Sequence, residues 1–270
     1  MLDPLLIAEL AALGLVTGFF AGLLGIGGGM ILVPFITFIL SHRGISADLA
    51  VKMAIATSMA TIVFTSISSV RAHHRRGVVR WDLVARLAPG IVLGAALAGA
   101  GVFRIVQGRW LALLFAGFVA FSATQMLRGR KPAAHRSLPG PGGQFAAGGV
   151  IGFLSGLVGA GGGFISVPFM TWCGVAMHQA VATSAALGFP IALANAVGYT
   201  WSGAQVAGRP SGSLGFIFLP ALAVIASASV LTAPVGVRVA HALPVSTLKR
   251  VFALILYGLA AAMTYEAWSG

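Results

Sequence analysis

Residues Gly18–Pro34 read GFFAGLLGIGGGMILVP, and residues Gly152–Pro168 read GFLSGLVGAGGGFISVP. Extended to 18–36 and 152–170, the two stretches share 12 identities in 19 positions. Every glycine of G-x-G-G-G recurs, as does the proline five residues later, which apolar composition alone would not produce. Glycine runs are poor helix, at about 1 kcal/mol per residue relative to alanine. A helix-breaking sequence placed equivalently in two halves of an apolar chain points to paired interruptions at membrane depth, the sequence mark of a transporter's binding site.

The surrounding composition fixes the solvent. Hydrophobic residues fill 58% of the 270 positions and charged residues 8%. Apolar runs of about 20 residues, each able to cross a hydrocarbon core of about 30 Å, recur from end to end. The alternating strands of about 10 residues that a membrane β-barrel needs are absent. The fold class expected is an all-α, polytopic transmembrane helical bundle. The net charge of +12 sits in short loops such as Arg71–Arg76 and Arg128–Lys131, without a basic face or aromatic platform for nucleic acid. The positive-inside rule accounts for it. Met1-Leu-Asp-Pro carries no basic leader and no small-residue cleavage site follows, so no signal peptide is expected. Cys173 is the single cysteine, which excludes an internal disulfide and any Cys-x-x-Cys motif. Beside Trp172 its expected role is packing.

The apolar segments fall near 5–24, 30–40, 53–72, 82–104 and 109–128, then 144–158, 164–176, 180–203, 213–235 and 248–268. The chain therefore divides into a first repeat (1–129), an exposed cytoplasmic linker rich in Pro, Gly and charge (130–143), and a second repeat (144–270). Ala56-Thr57-Ser58 matches Ala182-Thr183-Ser184, Pro89 is paired with Pro220, and the segment from Arg109 to Gly117 resembles that from Arg250 to Gly258. Residues 5–40 would span about 54 Å as one helix, too long for one crossing. They suit a hairpin turning at the glycines, with one longer and one half-length arm. Each repeat is then a Gly-rich helical hairpin plus three full transmembrane helices, an odd parity that inverts the second repeat relative to the first. With both termini outside, that arrangement puts 12 of the 17 Lys and Arg residues in the cytoplasm. A break within one crossing helix gives parallel repeats and a 10-to-7 split, so inversion is favoured.

The chemistry expected at the glycines is anion binding. Turns freed from helix can let a ligand approach the backbone closely. The helices starting near Met30 and Phe164 would present unpaired N–H groups and positive dipole ends to whatever fills each turn. The alternative is a tight turn that only lets helices pack. A P-loop is excluded by the lack of a Gly-Lys-Ser/Thr ending, and a dinucleotide fingerprint by Met30 and Phe164 in place of its last glycine. Thr57, Ser58, Thr183 and Ser184 are candidate ligand hydroxyls, set against bonding back to their own helices. Asn195 is a further candidate, set against an interhelical bond. Glu9 and His178 read as interfacial, His73 and His74 as a solvated cytoplasmic end. No proton-carrying carboxylate chain is evident, and there is no metal-ligand spacing or nucleophile–base pair that would suggest an enzyme.

Duplicated Gly-x-Gly-Gly-Gly followed by Val-Pro, with Ala-Thr-Ser in the next helix of each half, resembles the TauE/SafE family of sulfite exporters and related anion permeases. The resemblance covers essentially the whole chain. It implies transport, usually outward, of sulfite, sulfoacetate or a related organosulfonate across the bacterial cytoplasmic (inner) membrane; from the doubled glycine motif the expected mechanism is alternating access. The family's positions carry over to Gly25, Gly27, Gly28, Gly29, Thr57 and Ser58, and to Gly159, Gly161, Gly162, Gly163, Thr183 and Ser184. The halves differ at Met59-Ala60 against Ala185-Ala186, so a perfectly symmetric site is not expected. Uptake of thiosulfate or sulfate, and an anion channel, stay open as alternatives. The expected partners are a small anionic substrate and the lipid bilayer, with a homodimer left open; no nucleic acid, cofactor or metal is expected.

Overall fold

The computed structural model describes residues 4–24, 28–128, 137–242 and 246–269. Gly25 and Gly27, and linker residues 130–136, lie outside the described residues. The described chain is all-helical apart from one two-residue-per-strand hairpin. Its helices are α1 (Pro4–Leu24), α2 (Gly29–His42), α3 (Ala47–His74), α4 (Trp81–Ile105), α5 (Gly108–Arg128), α6 (Pro141–Val158), α7 (Gly163–Trp172), α8 (Met177–Ser202), α9 (Leu219–Ala242) and α10 (Ser246–Ser269). Six of them, α1, α3, α4, α5, α8 and α9, are long and apolar enough to cross a membrane. α4 contains a π-helical turn at Leu97–Val102. Each half shows the order read from the sequence: two arms around the glycines, then three longer helices.

Small residues decide which helices touch. Gly14, Gly18 and Gly22 lie one turn apart on α1, against Ile225, Ser229 and Ala233 of α9. A Cβ at Gly14 would stand 2.7 Å from the Ile225 carbonyl oxygen, so the backbones meet directly. Gly148 and Gly152 of α6 do the same against Leu87 and Ile91 of α4, and Gly90 and Gly94 of α4 return the contact. This is the close approach that small residues at i, i+4 permit in apolar surroundings. Both pairs run in register and in the same direction. α3 also runs with α9: Thr65 and Ser229 hydroxyls share a 2.7 Å hydrogen bond, and Ser68 donates to the Val230 carbonyl at 2.9 Å. α5 and α10 run in opposite directions, with Arg109 over the Trp268 ring at 5.0 Å and Thr124 bonded to Tyr257 at 2.6 Å.

The register also sets the depth of the glycine turns. α1 ends at Leu24, level with about residue 235 of α9, which continues to Ala242. That leaves the turn about 10 Å short of the end of α9 at 1.5 Å per residue. α6 stops similarly short of the end of α4.

Three sequence expectations need correction. The fourth segment of the second half does not begin as helix at 213. Ser213–Leu214 and Ile217–Phe218 (β1 and β2) form a hairpin first, in register Ser213 to Phe218. Gly215, with φ 58°, makes its turn, and Arg209 ties the loop by donating to the carbonyls of Ala204, Val206 and Gly215. Pro220 is therefore not the counterpart of Pro89. It is the second residue of α9, where its missing N–H costs nothing, whereas Pro89 lies in the interior of α4. His73 is not solvated: it is 1% exposed, on the inward face of α3 with Ser66 and Ser69, while His74 stays outside. The helix after the linker is α6. Pro141 opens α6, and Gln144 Nε2 donates to the Pro139 carbonyl at 2.8 Å.

Candidate functional site

Gly28 and Gly162 hold φ of 73° and 75° immediately before α2 and α7, and Gly159 holds 74° after α6. L-residues with a side chain seldom take this conformation. The first helical bonds run from Ile31 and Leu32 to the Gly28 carbonyl (3.2 and 3.4 Å) and from Ile165 and Ser166 to the Gly162 carbonyl (3.1 and 2.9 Å). The N–H groups of Gly29, Met30, Gly163 and Phe164 precede those bonds and are the ones a helix cannot satisfy itself. Both helix starts are buried, as are Gly159 and Gly161.

The two turns meet. A Cβ on Gly29 would fall on the Gly159 carbonyl oxygen, and one on Gly159 would stand 3.0 Å from Val33 and 3.2 Å from Ile55. The α2 start thus abuts the second glycine turn, with α3 alongside. The nearest described neighbours of Gly28, Gly29, Gly159 and Gly162 include Thr17, Val33, Ile55, Ile151, Ser155 and Ile191. None of these described neighbours is ionisable; the polar groups among them are backbone and hydroxyls.

Thr57 and Thr183 are fully buried and play the same part in each half. The Phe218 N–H donates to Thr57 Oγ1 at 2.9 Å, and the Arg80 N–H donates to Thr183 Oγ1 at 3.0 Å. Each threonine holds the residue that leads into the other half's fourth helix, and each hydroxyl still has a proton to donate. The serines differ. Ser166 Oγ donates to Ser184 Oγ at 2.9 Å, but the position matching Ser166 in the first half is Leu32. Ser58 Oγ is buried without a hydrogen-bond partner among the described residues. Asn195 lies beside the arm of the second hairpin and not at its turn: Nδ2 donates to the Ile191 carbonyl at 2.9 Å, while Oδ1 faces Gly156 and Gly99 without a partner. The Tyr199 hydroxyl donates to the Gly156 carbonyl nearby.

Sequence reasoning missed Ser155. It is 2% exposed, its Oγ has no partner among the described residues, and that oxygen lies 3.2 Å from where a Gly162 Cβ would be. The signal was available in the doubled stretch. Where the copies disagree, the second is twice the polar one, Ser155 against Ala21 and Ser166 against Leu32. Lys52, a cation the sequence reading gave no site role, is buried too. It is 7% exposed on α3 and paired with Asp48 at 3.0 Å, an i, i+4 pair visible in the sequence.

A bundle of membrane-length helices with two glycine-broken hairpins meeting in its interior is the architecture of a membrane transporter. The sulfite exporter TauE/SafE family matches residues 10–263, and the chain belongs to that family. It is 37% identical over 245 residues to a "Probable membrane transporter protein" of Haemophilus influenzae, covering 90% of this chain and 92% of the relative. It is 27% identical over 250 residues to "Probable membrane transporter protein MJ0441" of Methanocaldococcus jannaschii, covering 87% and 86%. No solved structure matches the chain. The protein is thus a multi-pass membrane transporter and not an enzyme.

Proposed function

We propose that the protein carries a small sulfur-containing oxyanion, sulfite or an organosulfonate such as sulfoacetate, outward across the bacterial cytoplasmic membrane by alternating access. The observation that carries this reading is the meeting of two glycine turns, each followed by a buried helix start. An anion buried without partners is very costly. A helix start offsets part of that cost, by about 0.3–2 kcal/mol through its dipole, and charge-assisted bonds from free N–H groups add about 1.5–3 kcal/mol each. With no buried cation among the nearest neighbours, binding stays weak enough for release. Gly28, Gly29, Gly159, Gly161, Gly162 and Gly163 form the cradle in this proposal, with Ser58, Ser155, Thr57, Thr183 and Ser184 offering hydroxyls. Asn195 supports the second hairpin arm.

The same proposal treats the halves as inverted repeats whose hairpins enter from opposite sides. Three observations support it. α1, α3 and α9 share one direction, and α4 and α6 share one. α4 begins beside the start of α8 and only six residues after the end of α3. α5 opposes its counterpart α10. Rocking of one repeat against the other would then open the meeting point to each side in turn.

Purified protein in liposomes loaded with sulfite, sulfoacetate, thiosulfate, sulfate or chloride tests the substrate. Saturable sulfite or sulfoacetate flux with counterflow is expected, reduced at least tenfold by Gly28→Leu or Gly162→Leu in protein that still folds and inserts. Flux confined to thiosulfate or sulfate would replace the reading with an uptake permease, and unsaturable chloride current with a channel.

A further inference from the structure

We propose that the groove between α3 and α9 is a binding site for one anionic phospholipid. The groove encloses about 360 Å³ and is lined by Phe64, Ile67 and Arg71 of α3, by Arg75 directly after it, and by Val230 and Pro234 of α9, among others. Spacings of three and four continue one helical face, apolar at Phe64 and Ile67 and basic at Arg71 and Arg75. Phe64 is 47% exposed, so the apolar end opens to the outside of the bundle and not to its core. The Ser68 hydroxyl, bonded to the Val230 carbonyl, joins the two walls.

Charge and length select the occupant. Two arginines one turn apart repel each other, and neither has an ion-pair partner among the described residues. No carboxylate lines the groove, so an anion placed between the guanidiniums meets two unneutralised donors. A free anion would leave the apolar wall below unused. From Phe64 to Arg75 is about 16 Å along the helix, the depth of one leaflet in a hydrocarbon core of about 30 Å. An acyl chain on the apolar wall and a phosphate at the arginines therefore fill the groove together. None of the described residues that line the groove belongs to a glycine turn, and the proposal does not depend on the substrate proposed above.

The test is binding of lipid to the full-length protein, by native mass spectrometry and by thermal unfolding in mixed micelles. Phosphatidylglycerol should bind one per chain and raise the melting temperature, with phosphatidylcholine and soluble glycerol phosphate at least tenfold weaker. Arg71→Gln/Arg75→Gln and, at the opposite end, Ile67→Trp should each weaken phosphatidylglycerol at least tenfold. Equal binding of phosphatidylcholine, an equal shift from glycerol phosphate, or unchanged phosphatidylglycerol affinity in the folded variants would each overturn the proposal.

Discussion

Two threonines, each within Ala-Thr-Ser, do the same work in the two halves of the chain. Thr57 accepts from Phe218 and Thr183 from Arg80. Replacing either by valine keeps the shape and leaves a backbone N–H without its acceptor, at about 1–3 kcal/mol when that group is buried. Phe218 is buried and Arg80 only half-buried. Thr57→Val should therefore lower the unfolding temperature more than Thr183→Val, which a detergent melting series would read directly. These roles were only half legible. Ala-Thr-Ser marked the positions because the motif was doubled, but the bonds join residues 161 and 103 apart in sequence. No local pattern specifies such a partner. Ser155 escaped for a different reason: attention to what the copies share hides the polar positions at which they part.

Among elements, the glycines of α1 and α6 are packing surfaces as much as turns. Gly18→Leu would push the α1 backbone off the Ser229 carbonyl, and Gly152→Leu would do the same against Ile91. Overpacking of this kind costs about 1–3 kcal/mol where the helices can yield and more where they cannot. Gly117→Leu on α5 is the control, since nothing lies within 4 Å of a Cβ there. Expression and melting temperature should fall for the first two and hold for the third; equal losses in all three would show that glycine matters only for backbone freedom. Helix existence and order were legible from apolar length, because a membrane-length run has one stable form. The hairpin at Ser213–Phe218 was not, because its residues are as apolar as the helix that follows. The positive φ of Gly215, the Arg209 bonds to the loop carbonyls and the pull of Thr57 on Phe218 separate them.

For the whole molecule, the reading turns on which sides the two halves face. Reporters fused after His135 and at the C-terminus should give opposite sides if the repeats are inverted; the same side for both would return the parallel arrangement. Length and charge counts anticipated the hairpins, but nothing in the sequence announced how the halves clasp. α1 lies along α9 and α6 along α4, so each glycine hairpin is held by the other half. This exchange governs how the protein can be made. α1 leaves the ribosome about 200 residues before α9 does, an interval of about 10–40 s at 5–20 residues per second. For that time its glycine face has no native partner and must wait in lipid or in the insertion machinery. Assembly is thus bound to the completion of synthesis: a chain stalled after the first half holds two unclasped surfaces, and quality control has a clear difference to detect.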